Sequence, residues 1–343
     1  MTILLDCRLI SERPTGISRY SEKILGYYIE KYGEDNIHAL VNKSSDKIKC
    51  KQIITTLKPF NFAHWLVFPL WLKKQNYTWL ISFHYSGLAY KIKNVRSVVT
   101  VHDLMFELVP RFFNTKLKNL VGKLYYRLIV KKSILNANLT ISVSETTRND
   151  ILRIYKQDSK ISGEGIFLKA SSDVSVLSKH NLEPNNYFLY IGNNRPHKNI
   201  NFLIESFQDS KRIHNLKSKL VLVGHSGQSK ADIIYPGIVT DEQLIGLYRN
   251  AKAFVFPSKY EGFGLPILEA LDNKCPIIAS DIPAFREFSN KNIAYFNLNN
   301  KDELVDMLTC EHVFDTAEAQ KIIEKYSWPQ TYKNLDDIFG DIL

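Results

Sequence analysis

Directly after the apolar run Ala253 to Phe256 the chain reads Pro257-Ser258-Lys259-Tyr260-Glu261-Gly262-Phe263-Gly264-Leu265-Pro266-Ile267-Leu268-Glu269-Ala270. Gly262 and Gly264 carry no Cβ, so a ligand can approach the backbone closely there. Pro266 suits the first turn of a helix, where its missing N–H costs nothing. Free amides near Gly264 and Leu265 then make a seat for a diphosphate. Glu261 stands before the turn and Glu269 one turn inside the helix. Two carboxylates so placed can accept hydrogen bonds from hydroxyls on either side of the diphosphate, and sugars supply such hydroxyls.

These residues need a strand to end under them and a helix to begin. Short apolar runs at residues 3–5, 79–83, 98–101 and 138–143 each stop at polar residues, the pattern of buried parallel strands whose C-terminal ends carry chemistry. A helical stretch over 17–32 and the N-cap candidate Ser144 fall between them. Residues 169–186 are polar and without period, which predicts a linker. Alternation then resumes: strands at 187–191, 220–223, 253–256 and 276–279, helices at 200–207, 241–250 and 267–271. The chain thus reads as two tandem α/β units, expected at 1–175 and 186–325, whose strand ends would face across a cleft. Tyr332, Leu335, Ile338 and Phe339 share a helical spacing after Pro329, predicting a docked terminal helix over 326–343.

A length of 343 residues exceeds what one core usually organises, and 45% hydrophobic with 23% charged residues excludes a disordered or fibrous chain. The most apolar stretch, Phe60 to Leu72, falls short of the roughly 20 residues of a spanning helix. Asp6 and Arg8 sit where an export signal would need apolar residues, which predicts a cytoplasmic protein. Cys7, Cys50, Cys275 and Cys310 form no C-x-x-C pair and read as reduced and structural. The net charge of +10 is uneven: residues 1–180 hold 28 Lys and Arg against 14 Asp and Glu, the remainder 17 against 21. The first half alone is therefore expected to meet an anionic partner.

The run Glu261 to Ala270, followed by Pro276-Ile277-Ile278-Ala279-Ser280-Asp281, resembles the E-x7-E signature of retaining glycosyltransferase family 4. Gly16-Ile17-Ser18-Arg19-Tyr20, Val101-His102-Asp103, Ile141 to Glu145, Tyr190-Ile191-Gly192 and Pro196-His197-Lys198-Asn199 follow the family's landmarks in order, so the resemblance covers essentially the whole chain. It implies a GT-B fold: two facing Rossmann-like domains, the acceptor on the first, the nucleotide-sugar on the second, and a terminal helix crossing back to the first. It implies that Glu269 holds the ribose hydroxyls, that Glu261 contacts the transferred sugar, and that the amides of Phe263, Gly264 and Leu265 hold the diphosphate. Lys198 and Arg195 would neutralise the leaving diphosphate; where many members carry Arg directly after the glycine, this chain has Asn193. His102 would meet the sugar, with Asp103 orienting it or bracing the loop, and Gly16 would admit donor or acceptor, with Arg19 near a phosphate.

No Asp-x-Asp occurs, and the resemblance implies neither a metal nor a cofactor for the chemical step. The donor it implies is GDP-mannose or a UDP-hexose, and the acceptor a lipid-linked or oligosaccharide one of bacterial surface polysaccharide. Lys123, Arg127 and Lys131 lie four apart in the segment 116–132, as do Leu120, Leu124 and Leu128. With the aromatic, basic-ended segment 62–74, this composition suits peripheral contact with the inner face of a membrane or, alternatively, ordinary packing on the sheet. Two enzyme rivals on the same architecture, an epimerase and a phosphorylase, and a non-catalytic nucleotide-sugar-binding subunit remain as alternatives. A nucleic-acid-binding protein leaves Glu261 and Glu269 unexplained.

Overall fold

The computed structural model describes residues 2–11, 15–110, 115–167, 171–230 and 232–340. Part of the expected turn at 11–16 and residues 169 and 170 of the expected linker lie outside them. The chain divides into two units, one made of Met1–Pro110, Thr115–Glu164 and Pro329–Leu343, the other chiefly of Gly165–Trp328. Each is a Rossmann-like parallel sheet with helices between its strands.

In the first unit the strands are β1 Ile3–Asp6, β2 Ile37–Val41, β3 Lys51–Ile54, β4 Trp79–Ser82, β5 Arg96–Val101, β6 Leu139–Ser142 and β7 Lys160–Ile161, in the order β3-β2-β1-β4-β5-β6-β7 and all parallel. β1 and β4 are buried along their whole length. Such strands are apolar on both faces because helices cover both. One cover joins Val99, Val101, Tyr126, Val130, Ile134 and Ile151, another Leu4, Leu40, Phe68, Leu72 and Leu80. Each such side chain contributes about 1.5–3 kcal/mol through burial. The strand order reverses between β1 and β4, the topological switch at which open α/β sheets leave a crevice.

The second unit holds β8 Tyr187–Ile191, β9 Lys219–Val223, β10 Ile233–Gly237, β11 Ala253–Phe256, β12 Ile277–Ser280 and β13 Ile293–Phe296, in the order β10-β9-β8-β11-β12-β13. Its pairs are also parallel, and its switch lies between β8 and β11. Both strands end in loops that the sequence singles out.

The division between the units falls after Glu164 rather than at 175. Of the segment read as a linker, residues 175–179 form a helix whose Val176 and Leu177 are buried, and Asp173 donates its backbone N–H to the Glu242 carbonyl. Serine and asparagine here serve turns and caps of the second unit, which a purely compositional reading mistakes for slack chain. The terminal helix Trp328–Phe339 returns to the first unit against the helix Gly16–Tyr32. Tyr332 stacks on Tyr27 with ring centroids 4.2 Å apart, the Tyr27 hydroxyl donates to Asp336, and Lys31 pairs with the same carboxylate at 2.6 Å. At the crossing, the Trp328 indole donates to the Ile166 carbonyl at 3.1 Å, and a Cβ on Gly165 would lie 2.6 Å from the Trp328 backbone nitrogen.

Phe62–Leu72 is a helix, capped by Asn61, with Pro69 inside it. His64, Trp65, Phe68 and Leu72 are buried, while Phe62, Leu66, Val67 and Leu70 are exposed. A second helix runs Lys116–Tyr125 and passes through a π-helical turn, Tyr126–Val130, into Lys131–Asn136. The extra residue of a π turn shifts the helical phase. Tyr126, Val130 and Ile134 are buried, and the stripe Leu120, Leu124 and Leu128 stays 54–68% exposed. The Trp65 indole donates to the Tyr125 hydroxyl at 2.7 Å, so the two helices lie side by side. No helix among the described residues is long and apolar enough to cross a membrane.

Candidate functional site

At the switch of the second unit, the loops leaving β8 and β11 bring Lys198 and Glu261 together. Lys198 ends a single 3-10 turn, Pro196–Lys198, which the proline starts and which Asn199 closes with φ at +57°. The Lys259 backbone N–H donates to the His197 carbonyl at 2.8 Å, binding one loop to the other. Lys198 Nζ then reaches Glu261 Oε1 at 2.7 Å, with side chains only 15% and 12% exposed. It also lies 5.2 Å from the centre of the Phe256 ring, a cation–π distance. Arg195, at the N-cap of the same turn, is exposed.

The helix after β11 is Leu265–Asp272, with Gly264 at its N-cap and Pro266 in its first turn. Gly264 has φ of +131°, a conformation that L side chains rarely adopt, and a Cβ there would meet Phe288 at 3.2 Å and Phe285 at 3.3 Å. Phe263 is buried against Phe288 and Tyr326, with ring centroids 5.1 and 5.4 Å away. The turn is thus held from beneath by aromatics, and its amides are carried on rigid backbone. Glu269 is nearly buried, and the Tyr248 hydroxyl lies 3.2 Å from its Oε2 and 3.3 Å from the Pro266 carbonyl. Burial first, then the Glu269 carboxylate, holds the Tyr248 phenol well above its ordinary range, so it stays a neutral donor.

The switch of the first unit is filled differently. Asp6 ends β1, and its carboxylate accepts from Arg8 Nε at 2.7 Å and lies 3.2 Å from His84 Nε2. The Ser86 backbone N–H donates to His84 Nδ1 at 3.0 Å, so the proton of the neutral ring must sit on Nε2, facing Asp6. Arg8 continues to the Leu57 carbonyl at 2.9 Å and to His64 Nδ1 at 3.1 Å, which ties the Phe62–Leu72 helix to the sheet. Burial pushes the Asp6 carboxyl up, but Arg8 and His84 more than reverse this and hold it well below the carboxylate range. Burial and then Arg8 push His64 down to about 3. Burial, against the pull of Asp6, likewise lowers His84. The side chains of Asp6, Arg8 and His84 have no exposed surface, so this crevice is occupied by the chain itself.

Beside it, His102 follows β5 with a side chain only 10% exposed. Its Nε2 lies 2.9 Å from the Phe83 carbonyl, its Nδ1 3.6 Å from Glu164 Oε1, and the Tyr20 ring stands edge-on at 4.9 Å. Asp103 accepts from the Met105 backbone N–H at 2.9 Å, the loop brace among its two expected roles. Gly16 is the exposed first residue of its helix, capped by Thr15, and Arg19 is half-buried one turn on.

Of the expected residues, Lys198, Glu261, Phe263, Gly264, Leu265 and Glu269 therefore occupy the second unit with Arg195 at its rim, and His102 and Gly16 the first. Sequence reasoning missed Tyr248, Glu164 and the group around Asp6. Only Asp6 and Arg8 gave a signal, two opposite charges at the end of an apolar strand.

The profile described as Glycosyl transferases group 1 matches residues 176–309, and that described as Glycosyltransferase Family 4 matches residues 49–162. The O-antigen chain mannosyltransferase RfbU of Salmonella typhimurium is 26% identical over 338 residues, covering 94% of this chain and 88% of that protein. Among solved structures, WaaG, a glycosyltransferase involved in lipopolysaccharide biosynthesis, superposes with a TM-score of 0.75 at 12% identity, covering 98% of this chain and 100% of that one. HepE of Anabaena, solved in complex with UDP-glucose, gives a TM-score of 0.70 at 15% identity with both chains fully covered. With both profiles matched in order and both sheets in place, this chain belongs to the family 4 glycosyltransferases of the GT-B fold.

Proposed function

We propose that this enzyme transfers a hexosyl unit, mannose in the first instance, from a nucleoside-diphosphate sugar to a saccharide acceptor in surface-polysaccharide synthesis, with retention of configuration. The observation that carries the reading is the contrast between the two switch points. The first is closed by the Asp6, Arg8 and His84 group, whereas the second presents the partly accessible Lys198–Glu261 pair beside the Gly264 turn. The donor belongs on the second unit and the acceptor on the first. Mannose is favoured because RfbU is a mannosyltransferase, and a nucleotide-sugar of either base because HepE was solved with UDP-glucose.

On donor binding, the diphosphate takes over Lys198 and a sugar hydroxyl takes over Glu261, so the pair is exchanged for two substrate contacts. Arg195 and the amides from Phe263 to Leu265 share the phosphate charge, and Glu269 accepts from the ribose. As the glycosidic bond breaks, negative charge grows on the diphosphate, which these groups stabilise more in the transition state than in the ground state. The departing oxygen takes the acceptor proton on the same face, no side-chain nucleophile is needed, and the basic groups do the neutralising without a metal. His102 supplies a hydrogen bond to a substrate hydroxyl. The test is a panel of GDP- and UDP-sugars: GDP-mannose should raise the melting temperature with its occupancy, and NMR of the product should show the anomeric configuration of the donor. An inverted product overturns the mechanism.

We further propose that the paired helices around Leu66 and Leu120 rest on an anionic bilayer carrying a lipid-linked acceptor. Phe62, Leu66, Val67 and Leu70 are exposed on one helix and Leu117, Leu120, Val121 and Leu124 on the other, and Lys123, Arg127 and Lys131 give the surface its complementary charge. Each basic residue near such a surface is worth about 1 kcal/mol, so the triple alanine variant should bind anionic vesicles on the order of 100-fold more weakly in a sedimentation assay. Unchanged binding would refute the contact.

A further inference from the structure

Glu164 has no part in the reading above, yet it stands against His102 in a geometry that fixes where protons lie. A carbonyl has no proton to give, so the 2.9 Å approach of His102 Nε2 to the Phe83 oxygen places the hydrogen on Nε2. Nδ1 is then the one ring nitrogen with no carbonyl to bond, and its separation from Glu164 is too long for a hydrogen bond that would use up its proton. It faces Glu164 Oε1 at 3.6 Å, on a carboxylate side chain 4% exposed whose Oε1 has no hydrogen-bond partner among the described residues. A bare Nδ1 lone pair against this carboxylate would be repulsive in a buried site, whereas an N–H there is attracted to it. The other groups facing the ring are the edge of Tyr20, whose hydroxyl lies 3.3 Å from Ser162 Oγ, together with Asp103 and His84, both close enough to act on it electrostatically. The Thr147 hydroxyl donates to the His102 carbonyl at 3.1 Å.

We propose that Glu164 is a positioning residue that keeps a proton on His102 Nδ1, so that His102 meets the substrate hydroxyl as a hydrogen-bond donor and not as an acceptor. This rests on the reading that His102 contacts substrate, and it adds the residue that decides the direction of that hydrogen bond. Burial opposes a charge on the ring, but Glu164, the Phe83 carbonyl and Asp103 outweigh it and hold the imidazole above its ordinary range. A histidine raised in this way keeps the Nδ1 proton below its pKa and loses it as the pH rises through that value. Removing the carboxylate therefore moves the loss to lower pH.

The test is Glu164→Gln, which keeps shape and removes charge, with 13C-labelled histidine followed by NMR from pH 5 to pH 9 and assigned through His102→Gln. The His102 titration should move down by about one unit, a tenfold change in proton affinity. The alkaline limb of kcat/KM should move with it, and Glu164→Asp should restore part of the shift. A merely structural role would lower the melting temperature and leave the titration in place. An unmoved His102 titration in folded Glu164→Gln overturns the proposal whatever the activity. Full kcat/KM in His102→Gln would instead overturn the reading beneath it while leaving the coupling of the pair intact.

Discussion

Lys198→Ala is expected to lower kcat by about 10²–10³-fold, the usual cost of removing one preorganised group that stabilises developing charge. The size follows from the setting. Lys198 is held 2.7 Å from Glu261 in a largely buried pair, on a turn fixed by Pro196 and Asn199 and against the face of Phe256. In such surroundings a charge is worth much more than in water. The substitution also leaves the Glu261 carboxylate without its cation, facing the negative charge of the incoming diphosphate. Steady-state kinetics on Lys198→Ala, Glu261→Gln and the double variant should accordingly be non-additive, the second substitution costing less once the first is made. Arg195→Ala, at an exposed position, should cost less than either. A loss in Lys198→Ala below tenfold would remove Lys198 from the chemistry.

Asp6→Ala should produce the largest loss of stability of any single change near the sites, about 3–5 kcal/mol, because it strands the fully buried Arg8 guanidinium without its partner. Denaturant unfolding of the two proteins at pH 7 reads the difference directly. The dependence on pH has a definite sign. A carboxyl depressed on folding contributes stability that is complete above its unfolded value, about 3.9, and is lost as the pH falls from there toward the folded one. The gap between wild type and Asp6→Asn should thus be full at neutral pH and narrow below about pH 4. A gap that is constant down to acid would mean that Asp6 is protonated in the fold. Because Arg8 also holds His64, the same variant should loosen the Phe62–Leu72 helix, which amide exchange would report.

Much of the geometry around the Gly264 turn was legible because its residues are close in sequence. Glu261, Gly264, Pro266 and Glu269 lie within one strand-turn-helix, where spacing alone fixes their relation. Lys198 could be placed after its strand, but its partnership with Glu261 spans 63 residues, and nothing local announces it. The same holds for Tyr248 against Glu269, for His84 against Asp6, and for Glu164 against His102: each pair is made by the order of strands in the sheet. The long apolar strands were readable from their β-branched runs, whereas β3, partly exposed at the sheet edge and carrying Lys51 and Gln52, and β2, interrupted by His38, were not. Phe62–Leu72 gave no helical stripe, since it is apolar on all sides and contains Pro69, and only its position beside the 116–125 helix explains why one side is left open. The leucines at 120, 124 and 128 suggested a buried stripe as readily as an exposed one, and it is Tyr126, Val130 and Ile134 that are buried instead.

We propose that a pyrophosphate-linked sugar sits on the second unit at the bend between Tyr260 and Pro266. Calorimetric titration of GDP-mannose and UDP-glucose into the wild type, Glu269→Ala and Gly264→Val tests it most directly. One of the two donors should bind the wild type, Glu269→Ala should bind that donor at least tenfold more weakly, and Gly264→Val, which forces a side chain onto Phe285 and Phe288 at a backbone angle that L residues avoid, should abolish binding while the protein stays folded by circular dichroism. Equal affinity in all three proteins would place the donor elsewhere and contradict the account.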